Sequence, residues 1–132
     1  MLLNLSDLSS ESLQSQIIRQ IRAKILAGDL ASGTQLPSIR ALAREQKVSV
    51  ITVQRAYEHL DREKLIISRR GKGFFVLEIQ DDDKKEMARQ RLAENLEPHI
   101  DAALAEGLTL EDVKESVEDV LLNHNHQNPN DK

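Results

Sequence analysis

Between Leu36 and Leu77 the apolar residues change period, and that change constrains the fold more than anything else in the chain. Ser38, after Pro37, is an N-cap residue for a helix reaching about Gln46. Lys47 and Val48 make a turn, and Ser49 caps a second helix reaching about Glu63. Leu65-Ile66-Ile67-Ser68 and Phe74-Phe75-Val76-Leu77 then read as two short strands around Arg69-Arg70-Gly71-Lys72-Gly73, a basic turn with two glycines. Helix, turn, helix and hairpin in this order are the parts of a winged helix-turn-helix, which lays its second helix in the DNA major groove.

The totals bound this reading. A chain of 132 residues holds one ordinary domain, or a small domain with an appendage. Its core is lean, because Tyr57, Phe74 and Phe75 are the only aromatics, so stabilisation by a second copy is expected. Without cysteine there is no disulfide and no thiolate-zinc site. The start, MLLNLSDLSS, has no basic leader region, and no apolar run is long enough to span a membrane; a cytoplasmic protein is expected. The formal charge of −4 conceals an asymmetry. Residues 1–77 carry net +5 and residues 78–132 net −9. The first part is suited to phosphate, and the second to being held away from it.

Upstream of the motif, Leu13, Ile17, Ile21 and Ile25 recur every four residues, which predicts a helix from about Ser10 to Ala27, stopped by Gly28. The glycine-bearing stretch 28–37 is a connector. Domain boundaries follow: residues 1–77 form the winged helix-turn-helix, residues 78–123 a helical tail, and residues 124–132 a disordered end. Asp81-Asp82-Asp83 start one tail helix, which runs to about Glu106 with a kink expected at Pro98. Gly107 ends it and Thr109 caps another. The apolar stripes of the two hold Leu92, Leu96, Ile100 and Leu104, and Val113, Val117, Val120 and Leu121. Helices of this size cannot bury both stripes alone, so these eight residues are the expected dimerisation set.

Function rests on which side chains the scaffold leaves outward. Leu42, Ala43, Val48, Val53 and Ala56 are the expected contacts between the two motif helices. Thr52, Gln54 and Arg55 then fall on the open side, with Ser49, Val50 and Ile51 at the leading end that enters the groove. Arginine reads guanine, glutamine pairs with adenine, and a methyl-bearing side chain packs on thymine. Arg40 projects from the preceding helix, and the amides behind Ser38 suit a phosphate. Blander readings stand beside these. Arg40, Arg44 and Arg62 also fit solvated helix charges, Arg55 a partner for Glu58 or Glu63, Val50 and Ile51 core positions, and the wing an ordinary hairpin turn.

The residues resemble the GntR family of bacterial transcription regulators over about residues 12–77. The resemblance is carried by Gln16-Ile17, Gly28, Gly33, Leu-Pro-Ser-Ile-Arg at 36–40, Leu42-Ala43 and Val48-Ser49. It continues through Thr52-Val53, Arg55-Ala56-Tyr57, Leu60, Gly71-Lys72-Gly73 and Phe75-Val76. It implies that Arg40, Thr52, Arg55 and the wing around Gly71 contact operator DNA, and that Ser49, Val50 and Gln54 tune the sequence read. The DNA-binding set is therefore Ser38, Arg40, Ser49, Val50, Thr52, Gln54, Arg55, Arg69, Arg70, Gly71, Lys72 and Gly73. The short tail resembles that of the YtrA-like members, in which it serves for dimerisation and whose operons often encode transporters. The expectation is a DNA-binding regulator, a repressor more than an activator and not an enzyme, that binds double-stranded operator DNA as a homodimer on a near-palindrome.

Departures from the family pattern are specific. Relatives usually carry glycine at Lys64 and often at Lys47, so either strain is present at these lysines or the local geometry differs. Phe74 replaces a small polar wing residue and is expected to pack on the tail or on a partner. His99, His124 and His126 fit no closed metal site and read as solvated; no cofactor or metal is expected, and the effector, if one exists, is unknown. The rival from another class is a winged-helix protein-interaction module that uses the apolar tail and Phe74.

Overall fold

Serine hydroxyls set the start of each of the first three helices. In the computed structural model, which describes residues 1–127 and side chains as far as 125, α1 spans Leu13–Leu26, α2 Ile39–Gln46 and α3 Val50–Arg62. Ser12, Ser38 and Ser49 precede them in extended conformation, and each side-chain oxygen accepts from the amide three residues on, Ser15, Ala41 and Thr52. Helix α1 begins later than its periodicity suggests. Ser6 and Ser9 accept from the amides of Leu8 and Glu11, and such turns compete with helix over residues 6–11.

After α3, β1 (Ile66–Arg69) and β2 (Gly73–Val76) pair antiparallel with Ile66 opposite Val76 and Arg69 opposite Gly73. The strands sit one residue off the expected runs at their outer ends. Leu65 is excluded because its amide closes the end of α3 on the Leu60 carbonyl at 3.1 Å. The connector adds a third edge. Leu36 donates to the Phe74 carbonyl at 2.9 Å, Val76 to Thr34 at 2.9 Å and Gly33 to Val76 at 2.8 Å.

Residues Met1–Glu86 form one compact unit. Its core is aliphatic: Ile17, Ile21 and Ile25 from α1, Leu42 from α2, Val53 and Leu60 from α3, and Leu65 and Ile66 are fully buried. Burying a side chain of this size contributes about 1.5–3 kcal/mol. Ala43 and Ala56 are buried on the facing helices α2 and α3, where small side chains permit close approach. The N-terminal segment is held to α1 by two glutamines one turn apart. Gln20 exchanges hydrogen bonds with both backbone groups of Asn4 (2.7 and 2.8 Å), and Gln16 does the same with Ser6 (both 2.9 Å).

The second unit starts at Met87, inside α4 (Asp81–Ala105), and includes α5 (Leu110–Gln127). Helix α4 runs through Pro98, whose missing N–H leaves one carbonyl a turn earlier without its helical donor. Gly107, at φ 99°, closes α4. Thr109 and Asp112 form a reciprocal cap, each donating its amide to the other's side chain at 2.9 and 3.1 Å. The Thr109 amide holds the Asp112 carboxyl below its usual range. The expected disorder from residue 124 is corrected for 124–127, which continue α5, because the cap and the apolar repeat carry the helix on; residues 128–132 lie outside the described residues.

Lys47 and Lys64 both adopt left-handed backbone, at φ 57° and 62°, so the strained alternative is the one present. Each ends a helix: Val48 donates to Ala43 and Leu65 to Leu60, the six-residue closure that normally favours glycine. Left-handed strain costs about 1–2 kcal/mol, and glycine's extra freedom in the unfolded chain offsets about 0.5–1 of its removal. Lys47→Gly and Lys64→Gly are each expected to raise unfolding stability by about 0.5–1 kcal/mol in urea titration. Lower stability in both would show that the lysine side chains stabilise more than their backbone costs.

Candidate nucleic-acid interface

Helix α3 is the element on which the site is built. Val53, Ala56, Tyr57 and Leu60 are fully buried. A period of 3.6 residues then sets Ile51, Arg55, Glu58 and Arg62 along the opposite side, and all four are exposed. The C-terminal end of α3 is clamped to α1. Nε and Nη2 of the buried Arg22 donate to the two carboxylate oxygens of Glu63 at 3.2 and 2.5 Å, and His59 Nε2 lies 3.0 Å from the same carboxylate.

Tyr57 joins this helix to its neighbours. Its hydroxyl donates to the Pro37 carbonyl at 2.7 Å, immediately before Ser38. Its ring meets Phe74 of the wing edge-on, with centroids 5.0 Å apart. Burial, and then the charge of Glu45, push the phenol pKa well above its ordinary value, so it remains a donor. Phe74 therefore packs within its own domain, against Tyr57. A small polar residue at 74 would leave Tyr57 without that ring contact.

The wing is held from below. Gln35 Nε2 donates to the Lys72 carbonyl at 2.8 Å, and Lys72 donates its amide to Arg69 at 2.9 Å. Gly73 is required beside this glutamine: its φ is 106°, and a Cβ there would approach Gln35 Nε2 to 3.3 Å. The Arg69 guanidinium lies 5.5 Å over the Phe75 ring. Sequence reasoning missed Gln35, whose role depends on a partner 37 residues away and leaves no local signal.

The expected DNA-facing residues are on the surface. Ser38, Arg40, Ser49, Val50, Gln54, Arg55, Arg69, Arg70, Gly71 and Lys72 are exposed, while Thr52 and Gly73 are half-buried. Val50 is 45% and Ile51 56% exposed, which removes the core alternative for both. The Thr52 hydroxyl shares a 2.7 Å hydrogen bond with the capping Ser49 hydroxyl. Gln54 Nε2 donates to Glu58 at 3.1 Å. Glu58 accepts from Gln54, and Glu63 is paired with Arg22 and His59.

A capped helix projecting from a three-helix core beside a basic hairpin defines a winged helix-turn-helix DNA-binding protein. Residues 13–76 match the family described as bacterial regulatory proteins, gntR family. The chain is 34% identical to the uncharacterized HTH-type transcriptional regulator YhcF of Bacillus subtilis, over 83% of its own length and 89% of that protein. It is 32% identical to the HTH-type transcriptional repressor YtrA of the same organism, over 85% and 86%. The structure of a transcriptional regulator from Oenococcus oeni superimposes with a TM-score of 0.67 at 27% identity, covering 89% of this chain and 97% of that one. The chain belongs to the GntR family of transcriptional regulators, among its short YtrA-like members, and is not an enzyme.

Tyr57→Phe tests the joint. The change removes one donor and leaves the Pro37 carbonyl unpaired, a loss of about 1–2 kcal/mol. Chemical denaturation is expected to show that loss; unchanged stability would mean that solvent replaces the hydroxyl.

Proposed function

We propose that the protein is a cytoplasmic repressor that occupies a near-palindromic operator as a homodimer, with a transporter operon as its target. The observation that carries the DNA part is the outward cationic surface: Arg40, Arg55, Arg69, Arg70 and Lys72 are all exposed on elements tied together through Tyr57 and Gln35. Arg40, Thr52, Gln54 and Arg55 read bases, with Ser49 and Val50 tuning the choice. Ser38, Arg70 and Lys72 hold phosphates, and Arg69, Gly71 and Gly73 shape the wing that delivers them. Reading adenine requires Gln54 to leave Glu58, and using the Thr52 hydroxyl requires it to be shared with the cap. Repression is supported by the similarity to YtrA, which is named a repressor. The transporter target is supported only by the YtrA-like resemblance.

The homodimer is supported by the tail. No residue of α4 is buried, and Leu92 and Val120 are 59% and 66% exposed. Leu96, Leu104, Val117 and Leu121 are exposed, and Ile100 and Val113 half-buried. A second copy covers these stripes and fixes the spacing of two recognition helices at about one turn of DNA, roughly 10 bp.

Two experiments test the proposal. In binding titrations, Arg55→Ala is expected to weaken operator binding by about 1–3 kcal/mol with little change on random DNA. Lys72→Ala is expected to weaken both alike and lower the salt slope by about 0.9. Equal profiles for the two variants would remove the division of labour. A chain ending at Glu86, which keeps the first unit whole, is expected to be monomeric in sedimentation and to bind operator at least about 100-fold more weakly. Undiminished binding would remove the dimer requirement and return weight to a tail that binds some other protein.

A further inference from the structure

Two branched aliphatic residues stand at the leading end of α3, and the core does not account for either. Val50 is 45% and Ile51 56% exposed. Helix propensity does not account for them, since β-branched residues lose side-chain freedom in a helix. Ile51 lies four residues before Arg55 on the side opposite the buried Val53 and Tyr57, whereas Val50 lies nearer the flank. A single exposed aliphatic is ordinary on a protein surface. This one occupies the part of the helix that meets base edges, and the one apolar group those edges offer in the major groove is the C5-methyl of thymine.

We propose that Ile51 is a specificity-determining residue that packs on a thymine methyl, within about two base pairs of the base read by Arg55. The spacing follows from one turn of α3, about 5.4 Å, set against about 3.4 Å per base pair. The proposal rests on the operator-binding reading above. It assigns Ile51 a part that neither arginine chemistry nor phosphate contact can supply, because only an apolar side chain can sense the methyl group that distinguishes thymine from uracil.

The test uses the full-length protein. Binding sites are first selected from random duplexes, and each conserved thymine is then replaced singly by deoxyuridine, which removes only the methyl. One replacement per half-site is expected to weaken the wild-type protein about three- to tenfold, the size of one buried methyl contact. The Ile51→Ala protein, altered at an exposed position, is expected to bind the two duplexes within about twofold of each other. Putting 5-methylcytosine in place of cytosine at that position is expected to restore part of the wild-type affinity and none of the Ile51→Ala affinity. Deoxyuridine tolerated at every thymine overturns the inference and leaves operator binding standing. Methyl sensitivity kept by Ile51→Ala but lost by Val50→Ala overturns the assignment to Ile51. Selection that enriches no sequence overturns both this inference and the reading beneath it.

Discussion

The phenol of Tyr57 lies where α3, the approach to α2 and the wing converge. It belongs to α3, its hydroxyl holds the carbonyl before Ser38, and its ring faces Phe74 of the wing. A helix-turn-helix can dock only if its groove-entering helix, the start of the preceding helix and the wing keep fixed relations to one another. In a core otherwise aliphatic, one large residue with a polar end meets all three requirements. The aliphatic core supplies most of the burial, and Tyr57 supplies registration.

Polar contacts with long sequence separation complete that registration. Arg22 and Glu63 are 41 residues apart, and they fix the far end of α3 to α1. Glu63 remains partly solvated, so the pair is a positioning device more than a large source of stability. Gln35 plays the corresponding part for the wing. The left-handed lysines show the opposite economy. Lys47 and Lys64 end α2 and α3 at a conformational cost, yet they leave a cation on each side of α3 in the chain. Glycine would relax the backbone and remove that charge.

Much of the fold could be read from the chain because its signals are local. Ser38 and Ser49 announce α2 and α3, and the four-residue isoleucine repeat announces α1. The basic turn between apolar runs announces the hairpin. The start of α1 was less legible, because Ser6, Ser9 and Ser12 are all plausible caps and only the competing turns decide among them. The last residues of α5 were misread because the polarity of His124 and Asn125 conceals a helix already nucleated at Thr109. On the site, exposure of the arginines followed from periodicity. The Thr52–Ser49 and Gln54–Glu58 bonds did not, since each side chain has several partners within reach. The partner of Phe74 was also out of reach, because it depends on how the hairpin folds back onto α3.

The grip of Gln16 and Gln20 on the first residues has a consequence for how this segment can drift over generations. Both amides hold peptide groups, the N–H and C=O of Asn4 and Ser6, and neither reads a side chain. Asn4 is therefore interchangeable with almost anything that keeps its backbone N–H, whereas the Ser6 hydroxyl also accepts from the Leu8 amide, and proline at either place would unlatch the segment. Mutational freedom sits at Asn4 and constraint in the two glutamines, so a short stretch of apparently unremarkable sequence is governed from outside itself.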